Sequence, residues 1–134
     1  MSTLLEYPHP QTFTRVIGLT HRPLDREVAL LPPDGRLELF SGMNLLHREQ
    51  SLAQLQAIPG IENVTHVYFV AYTGHGSSYQ ELRQVNEMIL VNAVGGIEIC
   101  CPKLEFFTLQ TGGKVSSLHR PLILFSYWRS FYRN

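Results

Sequence analysis

The stretch from His66 to Gln110 constrains the fold more than any other part of the chain. His66-Val67-Tyr68-Phe69-Val70-Ala71-Tyr72 is rich in aromatic and β-branched residues, the composition of a buried strand. A Gly/Ser loop follows, Thr73-Gly74-His75-Gly76-Ser77-Ser78. Leu82, Val85, Met88, Ile89, Ala93 and Ile97 then fall at helical spacing across Tyr79–Ile99. Gly95-Gly96 weakens that helix near its end. Beyond Pro102, Leu104–Gln110 reads as a further strand, stopped by Thr111-Gly112-Gly113. Strands alternating with helices point to a parallel sheet in an α/β layered fold.

The upstream half continues the alternation. Arg15-Val16-Ile17-Gly18-Leu19 is a short apolar run that ends in a turn at Thr20-His21-Arg22-Pro23. Leu30-Leu31-Pro32-Pro33-Asp34-Gly35 is a turn, and Arg36-Leu37-Glu38-Leu39-Phe40 alternates as a second strand. From Arg48 to Ile58, Leu52, Leu55 and Ile58 recur every three residues, predicting a short helix closed by Pro59-Gly60. Residues 1–14 read as an irregular lead-in and 15–114 as the folded body. Residues 115–134 form an aromatic and basic tail, with Phe125, Tyr127, Trp128, Phe131 and Tyr132 among three arginines and no acid.

Composition narrows the class. With 134 residues, 44% of them hydrophobic and 16% charged, the chain makes one globular domain with a core. Eleven basic residues balance eleven acidic ones, which argues against nucleic-acid binding by bulk charge. No apolar run has the length of a membrane span, and the first residues lack the basic and apolar regions of a secretory signal. Cys100 and Cys101 are adjacent, so they give neither a disulfide framework nor a zinc site; buried packing is the favoured role. A cytoplasmic setting is expected, with no metal.

Several residues could carry chemistry. In dinucleotide-binding folds an arginine after the second strand accommodates a 2′-phosphate where an acid would hold ribose hydroxyls, so Arg22 favours NADP over NAD. The alternative is a solvated loop arginine, which the local sequence alone favours. The loop from Tyr72 to Ser78 joins a strand to a helix, where such sheets bind ligands. It is not a G-x-G-x-x-G loop, and a plain connection is the competing reading. Asn86 sits mid-helix among apolar neighbours, either bracing a neighbouring loop or facing water. Lys114 follows a strand in Gln110-Thr111-Gly112-Gly113-Lys114, as a ribose-binding lysine or as a turn lysine.

Four segments occur together in a recognisable order: Val16-Ile-Gly-Leu-Thr-His-Arg-Pro23, Val64-Thr-His-Val-Tyr-Phe-Val-Ala-Tyr72, Glu81-Leu-Arg-Gln-Val-Asn-Glu-Met88 and Leu109-Gln-Thr-Gly-Gly-Lys114. In this the chain resembles the progesterone 5β-reductase/iridoid synthase-like reductases. These are atypical extended short-chain dehydrogenases with many fungal members, which reduce enones with NADPH. The resemblance implies a Rossmann-like parallel sheet with flanking helices. It assigns Thr20, His21 and Arg22 to the adenosine 2′-phosphate, with His21 replacing one arginine of the family. It places Ala71, Tyr72 and Thr73 along the cofactor, matches Asn86 to the family's helix asparagine, and matches Lys114 to the lysine that contacts the nicotinamide ribose.

Departures from the family are equally specific. Nothing before Arg15 supplies the family's first strand or its Gly-rich phosphate loop, so the sheet is expected to be partial. Gly42-Met43-Asn44-Leu45 carries an amide where the family has a carboxylate, and the His-Tyr after Lys114 and the catalytic tyrosine region are missing. The resemblance therefore implies an internal piece of such a reductase, from a truncated or mispredicted gene, inactive alone. The alternative is a non-catalytic Rossmann-like module that associates with itself or a partner through an exposed sheet edge.

Overall fold

The computed structural model describes residues 2–6, 9–25, 27, 29–74 and 78–110. Four strands form two parallel pairs. Strand β1 (Val16–Thr20) pairs with β2 (Leu37–Ser41), with Val16 opposite Leu37 and Thr20 opposite Ser41. Strand β3 (His66–Phe69) pairs with β4 (Phe106–Leu109), with His66 opposite Phe106 and Phe69 opposite Leu109. A doubly wound sheet has strand order 3-2-1-4-5-6. Removing its central first strand leaves the pairs 3-2 and 4-5, which is the arrangement of β2-β1 and β3-β4 here. The partial Rossmann-like sheet expected from the sequence is thus the observed architecture.

Helix α2 (Arg48–Gln56) follows β2, and α3 (Tyr79–Cys100) connects β3 to β4. Helix α3 starts on a cap: the Ser78 hydroxyl accepts the Glu81 N–H at 3.2 Å. Val85 and Ile89 on α3 pack with Phe69, Phe107 and Leu109 of the second strand pair. Leu52 and Leu55 on α2 join Ile97 and Cys100 on α3, together with Ile17 of β1 and Phe40 of β2. The two helices therefore share one layer on one side of both strand pairs.

Glycine makes that layer possible. A Cβ on Gly96 would lie 2.7 Å from Leu55 Cδ1, whereas one on Gly95 would meet nothing within 4 Å. The glycine pair does not end α3, which runs on to Cys100. Gly60, at φ 73°, supplies the left-handed turn after α2 that leads into a single 3-10 turn, Ile61–Asn63.

The opposite side of β1 and β2 is covered by the lead-in. A short helix, α1 (Ser2–Glu6), lies within it, and Leu5 is buried with Val16 and Leu37. Arg36 holds this segment: its guanidinium donates to the carbonyls of Leu5, Pro10 and Phe13 while paired with Asp34 at 2.6 Å. Phe13 meets the His66 ring edge-on at 5.4 Å, which joins the lead-in to β3. Among the described residues no helix is long and apolar enough to cross a membrane.

Candidate functional site

Parallel strands place all their carboxyl ends on one edge, and in open α/β sheets ligands bind outside that edge. Here the edge is formed by Thr20–Arg22 after β1, residues 42–46 after β2, and residues 70–74 after β3. The segment after β4 continues to Lys114, which lies outside the described residues, as do His75, Gly76 and Ser77.

The first group is tightly organised. Thr20, the last residue of β1, donates its hydroxyl to the Arg22 carbonyl at 2.7 Å. Met43 N–H donates to Thr20 O at 3.1 Å and Gly42 N–H to His21 O at 3.2 Å, so the turn after β1 and the loop after β2 form one unit. The His21 Nδ1 lies 3.0 Å from the Met43 carbonyl, an acceptor, which places the proton on Nδ1 and leaves Nε2 as the ring's other polar atom. Arg22 is exposed, and among the described residues it forms no ion pair. Among the described residues it is thus a cation without an acid partner, just past the end of β1.

Charge pairing is concentrated elsewhere. Arg15, just before β1, makes a two-pronged bond to Glu38, Nε to Oε1 at 2.8 Å and Nη2 to Oε2 at 2.7 Å. Hydrogen bonding from Arg15 holds the Glu38 carboxyl below the usual range, and Arg36 does the same for Asp34. Both pairs lie at the amino-terminal ends of β1 and β2, away from Arg22.

Asn44 lies in the loop between β2 and α2. Its Oδ1 accepts the Leu46 N–H at 3.2 Å and its Nδ2 donates to Gln50 at 3.2 Å. Its side chain is thus spent on shaping the entry to α2. Gln54 on α2 closes the same loop, donating to Gly42 O at 2.6 Å and accepting from Asn44 N–H at 3.0 Å.

The second group follows β3, which is shorter than its composition suggested. Val70, Ala71 and Tyr72 leave the sheet and are exposed, Tyr72 at 65%. Thr73 is fixed by Asn86: the Thr73 N–H donates to Asn86 Oδ1 at 2.9 Å, and Asn86 Nδ2 donates to Thr73 O at 3.0 Å. Of the two readings of Asn86, the loop brace is the observed one.

Sequence reasoning passed over Asn92, whose Nδ2 donates to the Leu45 carbonyl at 2.8 Å. The signal was present, because Asn92 interrupts the apolar spacing Val85, Ile89, Ala93 on the buried side of α3. A cavity of about 220 Å³ lies beside β2 and α2, lined by Phe40, Ser41, Met43, Gln54, Ala57 and Ile58. Both cysteines are buried, and desolvation pushes the Cys101 thiol up to about 11, in keeping with a packing role.

A parallel α/β domain whose polar loops gather at the strand ends defines a Rossmann-type domain. The chain belongs to the family described as "PRISE-like Rossmann-fold domain", whose model it matches over residues 1–126. That match extends past both ends of the stretch, 15–114, that carries the four ordered segments. Among curated proteins it is 44% identical over 113 residues to "Short chain dehydrogenase ausT" of Aspergillus calidoustus, covering 81% of this chain and 28% of that protein. It is 36% identical over 112 residues to "Short chain dehydrogenase sirQ" of Leptosphaeria maculans, again covering 81% of this chain and 28% of the relative. A shorter match, 45% over 56 residues, links it to "Short chain dehydrogenase gsfE" of Penicillium aethiopicum and covers 42% of this chain and 15% of that protein. The chain thus spans little more than a quarter of the length of the first two relatives. No solved structure matches it. The short-chain dehydrogenase resemblance and the fungal affinity read from the sequence are both supported by these relatives.

Proposed function

We propose that these residues form the adenosine-binding side of an NADP site in a short-chain dehydrogenase/reductase that reduces an enone in fungal secondary metabolism. The observation that carries the reading is Arg22, an exposed and unpaired guanidinium among the described residues, at the carboxyl end of β1. An arginine there suits a 2′-phosphate, to which it can donate two charge-assisted hydrogen bonds. His21, anchored through Nδ1, keeps Nε2 for a second polar contact. Thr20 shapes the turn that presents both. Ala71, Tyr72 and Thr73 line the path toward the nicotinamide, and Lys114 holds its ribose. The nicotinamide, when bound, supplies the hydride. The family's Gly-rich phosphate loop is not among these 134 residues, so the chain by itself is expected to bind nucleotide weakly and to turn over no enone. The setting proposed is cytoplasmic.

Two measurements test this. Titration with adenosine 2′,5′-bisphosphate and with AMP should show preference for the 2′-phosphorylated ligand; equal binding of the two would sink the NADP assignment. NADPH consumption with a simple enone should stay at background, and turnover above it would refute inactivity.

One observation favours a second reading, a non-catalytic module. The described strands form two separate pairs, and unpaired strand edges recruit other strands. Size-exclusion chromatography separates the two: a defined dimer supports the module, and a monomer that binds nucleotide supports the reductase reading.

A further inference from the structure

Helix α3 reaches two loops at the strand ends through two amides. Asn86 holds Thr73, and Asn92 holds Leu45. Asn92 is 8% exposed and lies on the buried side of α3 with Ile89, Ala93 and Gly96. A buried amide costs free energy unless it is hydrogen-bonded. The bond to Leu45 therefore accounts for an amide at this position, where packing alone would favour an apolar side chain.

The loop that Asn92 grips is tied on three sides. The end of β1 holds Gly42 and Met43 through backbone bonds. Gln54 on α2 holds Gly42 and Asn44. Asn92 supplies the third tie from α3, the helix that also packs on β3 and β4. Leu45 strengthens this link with its side chain, which packs against both the α2–α3 cluster and the cluster under β3 and β4. Asn86 and Asn92 are six residues apart on one helix, about 9 Å of rise and about 120° of rotation. A single rigid element thereby sets where the 42–46 loop stands relative to the 70–74 loop.

We infer that Asn92 is a positioning residue for nucleotide binding: it fixes the loop after β2, and through it the Thr20–Arg22 turn, at the distance from the Thr73 loop that a bound nucleotide requires. The inference rests on the reading of this edge as a nucleotide site.

The test is Asn92→Leu, which keeps the branched shape and removes the donor, beside Asn92→Gln, which keeps a donor. Both are studied under conditions where circular dichroism shows the variant fully folded. In Asn92→Leu, amide exchange at residues 43–46 should quicken about tenfold while β3 and β4 stay protected. Affinity for adenosine 2′,5′-bisphosphate should fall about three- to tenfold, with partial recovery in Asn92→Gln. Unchanged exchange at 43–46, or a loosened loop with wild-type affinity, overturns the inference and leaves the site reading intact. A wild-type chain that binds no adenosine nucleotide overturns the site reading, and the inference with it.

Discussion

The side-chain amide of Asn86 meets both backbone groups of Thr73, Oδ1 taking its N–H at 2.9 Å and Nδ2 giving a hydrogen to its carbonyl at 3.0 Å. This reciprocal pairing imitates a strand partner at the point where the chain leaves β3. Nδ2 also reaches Leu82 O at 2.8 Å, so the clamp is anchored to its own helix. Asn86→Leu removes all three bonds, two of them from the half-buried Thr73 backbone. We expect a loss of about 1–3 kcal/mol in urea unfolding, with exchange at Thr73 and Gly74 rising first. A stability equal to wild type would show that water replaces the clamp.

Neighbouring glycines should respond in opposite directions. Gly95→Ala adds a methyl group where nothing lies within 4 Å, so the helix gains about 0.5–1 kcal/mol from propensity. Gly96→Ala drives a Cβ to 2.7 Å from Leu55 Cδ1, and Leu55 is 3% exposed with little room to yield. A loss of about 1–3 kcal/mol is expected. Leu55→Ala in the same chain should recover part of that loss, and a double-mutant cycle on urea midpoints measures the coupling.

Acid should detach the lead-in and the start of the first sheet. Asp34 and Glu38 both titrate below the ordinary carboxylate range, each chiefly through the hydrogen bond from its arginine. A carboxyl depressed in the folded state adds stability above its unfolded pKa and loses it as pH falls through the folded value. Stability should therefore be level near neutrality and decline below about pH 4. The double variant Arg15→Met, Arg36→Met should be less stable at neutral pH and show a flatter acid limb, read as urea midpoints against pH.

Arg22 should govern selectivity rather than folding. Arg22→Ala leaves the urea midpoint within about 0.5 kcal/mol, because the side chain is exposed and unpaired among the described residues. Affinity for adenosine 2′,5′-bisphosphate should drop about tenfold or more, and affinity for AMP should hold. Calorimetry at low and high salt checks it, since an exposed charge contact weakens as salt rises.

Periodicity revealed the elements whose burial follows from local pattern. All four strands and both long helices lie within a few residues of where the spacing places them, because each buries one stripe or face. Val70 to Tyr72 have strand-like side chains yet leave the sheet, since composition gives β-propensity and only a partner gives pairing. The lead-in looked irregular because its order comes from Arg36, which gathers carbonyls 23 to 31 residues away in sequence. No local window contains that relationship. Gly96 looked like a helix weakness because its use, close approach by Leu55, is a tertiary fact. At the site, Thr20, His21, Arg22 and Asn86 were legible as candidates, whereas Asn92 was hidden by reading its helix for apolar residues alone.

Cys100 and Cys101 close α3 inside the cluster that joins both helices to the first sheet. Burial raises the Cys101 thiol to about 11, so it stays protonated at neutral pH and, enclosed in the cluster, offers alkylating reagents little to attack in the closed protein. Opening the cluster restores an ordinary thiol and ordinary reactivity. The chain thus carries its own stopwatch: the rate at which it takes up a label reads how often its interior breathes, with no probe introduced.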